Sequence, residues 1–106
     1  MSVAFVFPGQ GSQAVGMLSS LLGRPEVDAL VARADAALGE PLLSRVIAEG
    51  PAEELALTTW TQPAMLLAGI ANLAAWRAEG GPEPDFVAGH SLGEYTALVA
   101  AGSLDL

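Results

Sequence analysis

The 106-residue sequence contains no cysteine, no lysine and a single histidine, His90. Without cysteine there can be neither a disulfide framework nor a thiolate metal site, and one imidazole is too few for a His-rich zinc centre. All four basic residues are arginines (Arg24, Arg33, Arg45 and Arg77), against 12 acidic ones, giving a formal net charge of -8. Nucleic acid requires a basic face for its phosphates, so it is excluded as a partner. Long apolar runs are missing as well. The opening "MSVAFVFPGQ" has no positive n-region, and its apolar run is too short for a signal peptide. The other apolar stretch, 63–76, is interrupted by Asn72 and falls short of the ~20 residues needed to cross a bilayer. The expectation is a cytoplasmic, soluble chain with no membrane partner.

What the sequence does have is apolar content: 52% hydrophobic residues with only 15% charged. That is rich for a chain of this size, because small domains leave much of their surface in water. The excess implies surface meant to be covered by something further. Domains commonly run to ~100–150 residues, so the chain is one small domain at most, or a piece of a larger one.

Strands and helices alternate along it. Residues 3–7, "VAFVF", are β-branched and aromatic and stop at Pro8-Gly9, which predicts a strand apolar on both faces, suited to the middle of a parallel sheet. Pro25, acidic Glu26 and Asp28, and the stop at Gly39 bracket a helix over 25–38, with Val27, Leu30, Val31, Ala34 and Leu38 on its inward face. Two shorter helical pieces, 41–49 and 51–55, each open with proline and are separated by Gly50. The longest helix is expected over 62–79; it is apolar nearly all round, with Met65, Leu66, Gly69, Ile70 and Leu73 as core. After "GGPEP" come a second short strand, 85–88, and a helix from just past Ser91 to about Ala101.

Between that strand and that helix stands Gly89-His90-Ser91-Leu92-Gly93, the G-x-S-x-G pattern of a nucleophile elbow. The turn is strained and lifts the serine out of the sheet, and side chains at the glycine positions would collide with neighbouring backbone. The helix that follows presents its N-terminal N–H groups to developing negative charge. A second glycine loop, "FVFPGQGSQ", contains Gly9-x-Gly11-x-x-Ala14, which fits the dinucleotide fingerprint. That alternative needs a strand ending in Asp or Glu ~20 residues later, whereas "LVARADAALGE" reads as helix. The loop's other use is to aim a side-chain amide and backbone N–H groups at an oxyanion, which suits Gln10.

"FVFPGQGSQAVGM", "GPAEEL", "TQPA" and "AGHSLGEYTALVAAG", in that order and over essentially the whole chain, resemble malonyl-CoA:acyl carrier protein transacylase, the loading enzyme of bacterial fatty-acid synthesis. The initial methionine and "GHSLGEY" favour the free-standing enzyme over the related acyltransferase domains of polyketide synthases. The resemblance implies an α/β fold: the N-terminal portion of an α/β-hydrolase-like acyltransferase subdomain, spanning 1–106, without the family's small ferredoxin-like subdomain. It divides the chain into an oxyanion loop, 8–13, a buried helix, 62–79, and a nucleophile elbow, 89–93. It implies Ser91 as the nucleophile, Gln10 and the Leu92 N–H as oxyanion donors, and Gln62 lining the acyl pocket. The partners implied are malonyl-CoA, acyl carrier protein and a C-terminal portion of the same enzyme; no cofactor or metal is called for. The net charge repels a bare CoA or phosphopantetheine phosphate, which places any basic docking patch elsewhere.

His90 is not expected to be the base. Residues flanking an elbow serine point away from it, so His90 supports the turn or borders the acyl pocket, and Glu94 complements the helix N-terminus. The resemblance implies a general-base histidine far downstream and a carboxylate-binding arginine beyond the elbow helix, and none of the four arginines matches that position. A serine without a base is a weak nucleophile, so these 106 residues alone are expected to be inactive. A non-catalytic module keeping part of the fold is the alternative from another class.

Overall fold

The apolar segment near the N-terminus forms strand β1, Ala4–Phe7, which pairs in parallel with β2, Phe86–Gly89. The register sets Ala4 against Phe86, Phe5 against Val87, Val6 against Ala88 and Phe7 against Gly89. The computed structural model describes residues 3–9, 11, 13–38, 43–90 and 92–102. Asp85 anchors the start of the pair: its carboxylate accepts the Val3 N–H at 2.7 Å, and its own N–H donates to the Val3 carbonyl at 2.7 Å.

Among the described residues, four helices lie between the strands: α1, Pro25–Leu38; α2, Leu43–Glu49; α3, Ala52–Leu55; and α4, Thr58–Ala78. A fifth, α5, Gly93–Ala100, follows β2. The architecture is α/β, a short parallel pair with helices packed on it. Helix α1 begins at its proline, and Asp28 Oδ1 accepts the Gly23 N–H at 3.0 Å just ahead of the first turn. Asp35 then ties α1 to α2, accepting the Ser44 N–H at 2.9 Å and its hydroxyl at 2.6 Å. Arg24 reaches across to Glu79 past the end of α4, with Nη2 to Oε1 at 2.5 Å. The hydrogen bond and charge of Glu79 push the guanidinium pKa up, so Arg24 stays charged and adds no pH dependence near neutrality.

Among the described residues these elements form two apolar clusters. The larger joins α1, α2, α3 and α4 through Val27, Leu43, Ile47 and Leu55, all essentially without solvent exposure, against Ala64, Leu67, Ala68 and Ala71 of α4. Each of the four large side chains contributes about 1.5–3 kcal/mol by leaving water. The smaller cluster joins Phe7, Leu73, Ala97 and Ala100, with Phe5 and Val87 packed against it, and seats α4 and α5 on one face of the strand pair.

The structure departs from the sequence-based expectation at three places. Helix α4 starts at Thr58, ahead of Gln62, and carries Pro63 inside it. The first turn closes through the Trp60 and Thr61 N–H groups on the Leu57 carbonyl at 2.9 and 2.8 Å. The buried Thr61 hydroxyl donates to the Leu55 carbonyl and has the Leu57 carbonyl at 3.0 Å, welding α3 to α4. The N–H that Pro63 lacks would have served the carbonyl of exposed Thr59, which water can satisfy. Strand β1 is covered on one face only: Phe5 and Phe7 point to the helices, while Ala4 and Val6, with Phe86 and Ala88 beside them, are exposed. Leu38, expected to face inward, is exposed at the end of α1.

Candidate active site

Because β1 and β2 are parallel and end at the same level, the loop beginning at Pro8 and the turn beginning at His90 leave the carboxyl edge of the pair side by side. In α/β folds this edge is where ligands bind. The two segments are joined directly. The His90 N–H donates to the Phe7 carbonyl at 3.1 Å, and the Gly93 N–H closes the turn on the His90 carbonyl at 3.0 Å. Helix α5 starts at once, with Leu92 as its N-cap in a right-handed helical conformation and the Tyr95 N–H on the Leu92 carbonyl at 3.0 Å.

Both glycines of the pattern sit where no side chain fits. A Cβ on Gly89 would run into the Gly93 carbonyl and the Glu94 nitrogen, and one on Gly93 into the Phe7 and Pro8 carbonyl groups. The turn is therefore pressed against its own helix on one side and against β1 on the other. On the other segment, Gly11 has a φ of 108°, a region where glycine carries no Cβ penalty, and Gln13 Oε1 accepts the Gly11 N–H at 2.8 Å.

Of the residues singled out in the sequence, Ser91 and Gln10 lie outside the described residues. Leu92 is half-buried, and among the described residues no hydrogen-bond acceptor takes its N–H. His90 serves the turn through its backbone; its side chain is exposed and has no hydrogen-bond partner among the described residues. Glu94 is exposed in the first turn of α5. Gln62 is exposed on α4, one turn before Met65 on the same stripe. Met65, Gly69 and Asn72 continue that stripe and line a cavity of about 300 Å³ with Val6, Phe7, Pro8, Met17, Ala68 and Thr96. The cavity thus borders the carbonyl groups on which Gly93 rests. A second hollow of about 280 Å³ lies between α1 and α4, is lined mainly by apolar side chains such as Leu30, Ala34, Pro63 and Ile70, and contains no residue of the turn.

The dinucleotide alternative fails on geometry. Its pyrophosphate would sit at the N-terminus of a helix opened by the glycine loop. Here residues 15–23 form a string of turns, and the first helix begins only at Pro25.

The family model for the acyl transferase domain matches residues 4–106. The chain belongs to the acyl transferase domain family. It is 53% identical over 103 residues to the malonyl CoA-acyl carrier protein transacylase of Escherichia coli K12, covering 96% of this chain and 33% of that protein. Its fold is similar to the crystal structure of an acyl-carrier-protein S-malonyltransferase from Burkholderia pseudomallei, with TM-score 0.91 and 57% identity over 96% of this chain and 33% of that one. It is also similar to a malonyl-transacylase solved in complex with a type II polyketide acyl-carrier protein, with TM-score 0.91 and 48% identity over 99% of this chain and 34% of that one. The chain spans about a third of the length of these relatives.

Within this member of the acyl transferase domain family, two features of the site escape a reading of local pattern. One is the Phe7 carbonyl, which accepts from His90 and abuts Gly93; nothing near Phe7 announces it, because the contact exists only once the strands pair. The other is the approach of Thr96 on α5 to Gly69 on α4. Gly69 has a faint signal, a glycine amid the alanines of a long helix, which marks a close helix contact more often than a break.

Proposed function

We propose that this chain carries the acyl-accepting part of a malonyl-CoA:acyl carrier protein transacylase. The observation that carries the reading is the steric requirement for both glycines of Gly89-His90-Ser91-Leu92-Gly93, pressed between α5 and the end of β1. It supports reading the serine of that pattern as the exposed nucleophile of an elbow. The Ser91 hydroxyl attacks the thioester carbonyl of malonyl-CoA, its proton passing to a base. The tetrahedral oxyanion is held by the Leu92 N–H and the Gln10 amide, and its collapse expels the CoA thiol and leaves a malonyl ester. The phosphopantetheine thiol of the carrier protein then attacks that ester and regenerates the serine. Gln62 lines the acyl pocket, and His90 borders it while its backbone holds the turn. His90 is the one imidazole in the sequence, and the family resemblance assigns the general base to a histidine far downstream of the elbow, so the base is taken to lie outside these 106 residues.

The test is intact-mass and peptide mapping of the longest native polypeptide containing this sequence after incubation with malonyl-CoA. A malonyl increment on the peptide bearing Ser91, lost in Ser91→Ala and discharged by a holo carrier protein, is the expected result. An unmodified Ser91 overturns the reading. The 106 residues alone should transfer no malonyl group at a useful rate.

A further inference from the structure

We infer that the contact between Gly69 of α4 and Thr96 of α5 is the positioning contact that seats the nucleophile turn, an inference that rests on the acyl-transfer reading for its catalytic consequence. Helix α5 is held near its start from two sides. Gly93 lies against the Phe7 and Pro8 carbonyls, and one turn later Thr96, 1% exposed, lies against Gly69. A Cβ at Gly69 would stand 2.6 Å from Thr96 Cγ2, 3.4 Å from Thr96 Oγ1 and 3.5 Å from Phe7 Cδ1. The Thr96 methyl thus fills the volume that the glycine leaves open, at the point where α4, α5 and β1 meet.

Thr96 cannot simply turn aside. It is β-branched in a helix, with χ1 restricted, and rotation would swap a methyl for a hydroxyl in the same crowded space. Filling position 69 therefore moves α5 rather than one side chain, because packed interiors transmit such strain. Since α5 begins at Gly93, that movement lifts the turn off the Phe7 carbonyl and shifts His90 and Leu92 relative to Gln62, which shares a stripe of α4 with Gly69. Neither Gly69 nor Thr96 contacts substrate in this account; they set the distance between the nucleophile turn and the α4 face of the acyl pocket.

The pair gives a sharp test, because Thr96→Ser deletes the one atom that Gly69→Ala would strike. In the native full-length polypeptide, Gly69→Ala should speed amide exchange at the His90 and Gly93 N–H groups by about tenfold, and Gly69→Ala/Thr96→Ser should bring it back to within about twofold of the parent. In parallel, Gly69→Ala should lower the single-turnover rate of malonyl ester formation on Ser91 by about tenfold with little change in the malonyl-CoA concentration for half-saturation, and the double variant should recover it. Three outcomes overturn the inference: unchanged exchange at the turn, failure of Thr96→Ser to rescue, or a uniform acceleration through α1 to α4 that marks general loosening. A parent protein that forms no ester overturns the acyl-transfer reading instead, and the exchange data still decide whether Gly69 and Thr96 seat the turn.

Discussion

At the residue scale the site is built by what is missing from side chains. Gly89 and Gly93 are glycines because the backbones of α5 and β1 already occupy the space around them. Gly93→Ala forces a methyl between α5 and the carbonyls of Phe7, at the end of β1, and Pro8, just after it, which can be relieved only by parting the elements. The expected cost is about 2–3 kcal/mol in urea unfolding of the native polypeptide, together with a slower malonyl labelling of Ser91. A midpoint within error of the parent would show that the strand and helix can separate freely. The need for small residues at 89 and 93 is legible in the sequence, since G-x-S-x-G between strand and helix implies a crowded turn. Which atoms do the crowding is not, because Phe7 and Pro8 are distant in the chain and arrive only through parallel pairing. His90 illustrates the same division. Its place beside the serine argues against a role as base, but that its backbone bonds to Phe7 is a fact of tertiary structure.

At the element scale the helices follow local signals closely. Proline and acidic residues open α1 at Pro25 and Leu38 ends it, as its sequence predicts. The start of α4 was hidden by Pro63, since proline reads as a first-turn residue, whereas packing of Thr61 on α3 carries the helix back to Thr58. The far end of α5 has no basic residue of its own, and Arg77 of α4 supplies one, donating from Nη2 to the Ala100 carbonyl at 3.1 Å. The same guanidinium holds Glu83 through Nε and Nη2, at 3.0 and 2.8 Å from its carboxylate oxygens. Both partners are substantially solvated, so the pair is screened and the helix-end interaction is modest. Arg77→Ala should therefore cost only about 0.5–1 kcal/mol in thermal unfolding at low salt, and the difference from the parent should narrow in ~1 M NaCl as exposed charges are screened. A loss that is large and independent of salt would mean that Arg77 acts by packing.

At the scale of the whole molecule, the apolar content finds its explanation in a sheet face that the described residues leave open. Val6 is 73% and Phe86 67% exposed, side by side with Ala4 and Ala88. Tyr95 and Leu98 of α5 add further exposed apolar area. A two-stranded parallel pair with an uncovered apolar face is a poor independent fold. The polypeptide of these 106 residues by itself should therefore bind a hydrophobic dye and self-associate in light scattering. A sharp, cooperative thermal transition of a monomer would contradict this. Among the described residues no helix is long and apolar enough to cross a membrane. What the sequence by itself determined is the alternation of strands and helices, the glycine-flanked serine and the family to which they belong, because periodicity, turn residues and motif spacing act over a few neighbouring positions. Only the tertiary structure decided that β1 is covered on one face, that the Phe7 carbonyl underlies the turn and that Thr96 fills the notch at Gly69. Those outcomes depend on which distant segments meet, and close packing fixes such meetings through volumes and register that no local pattern records.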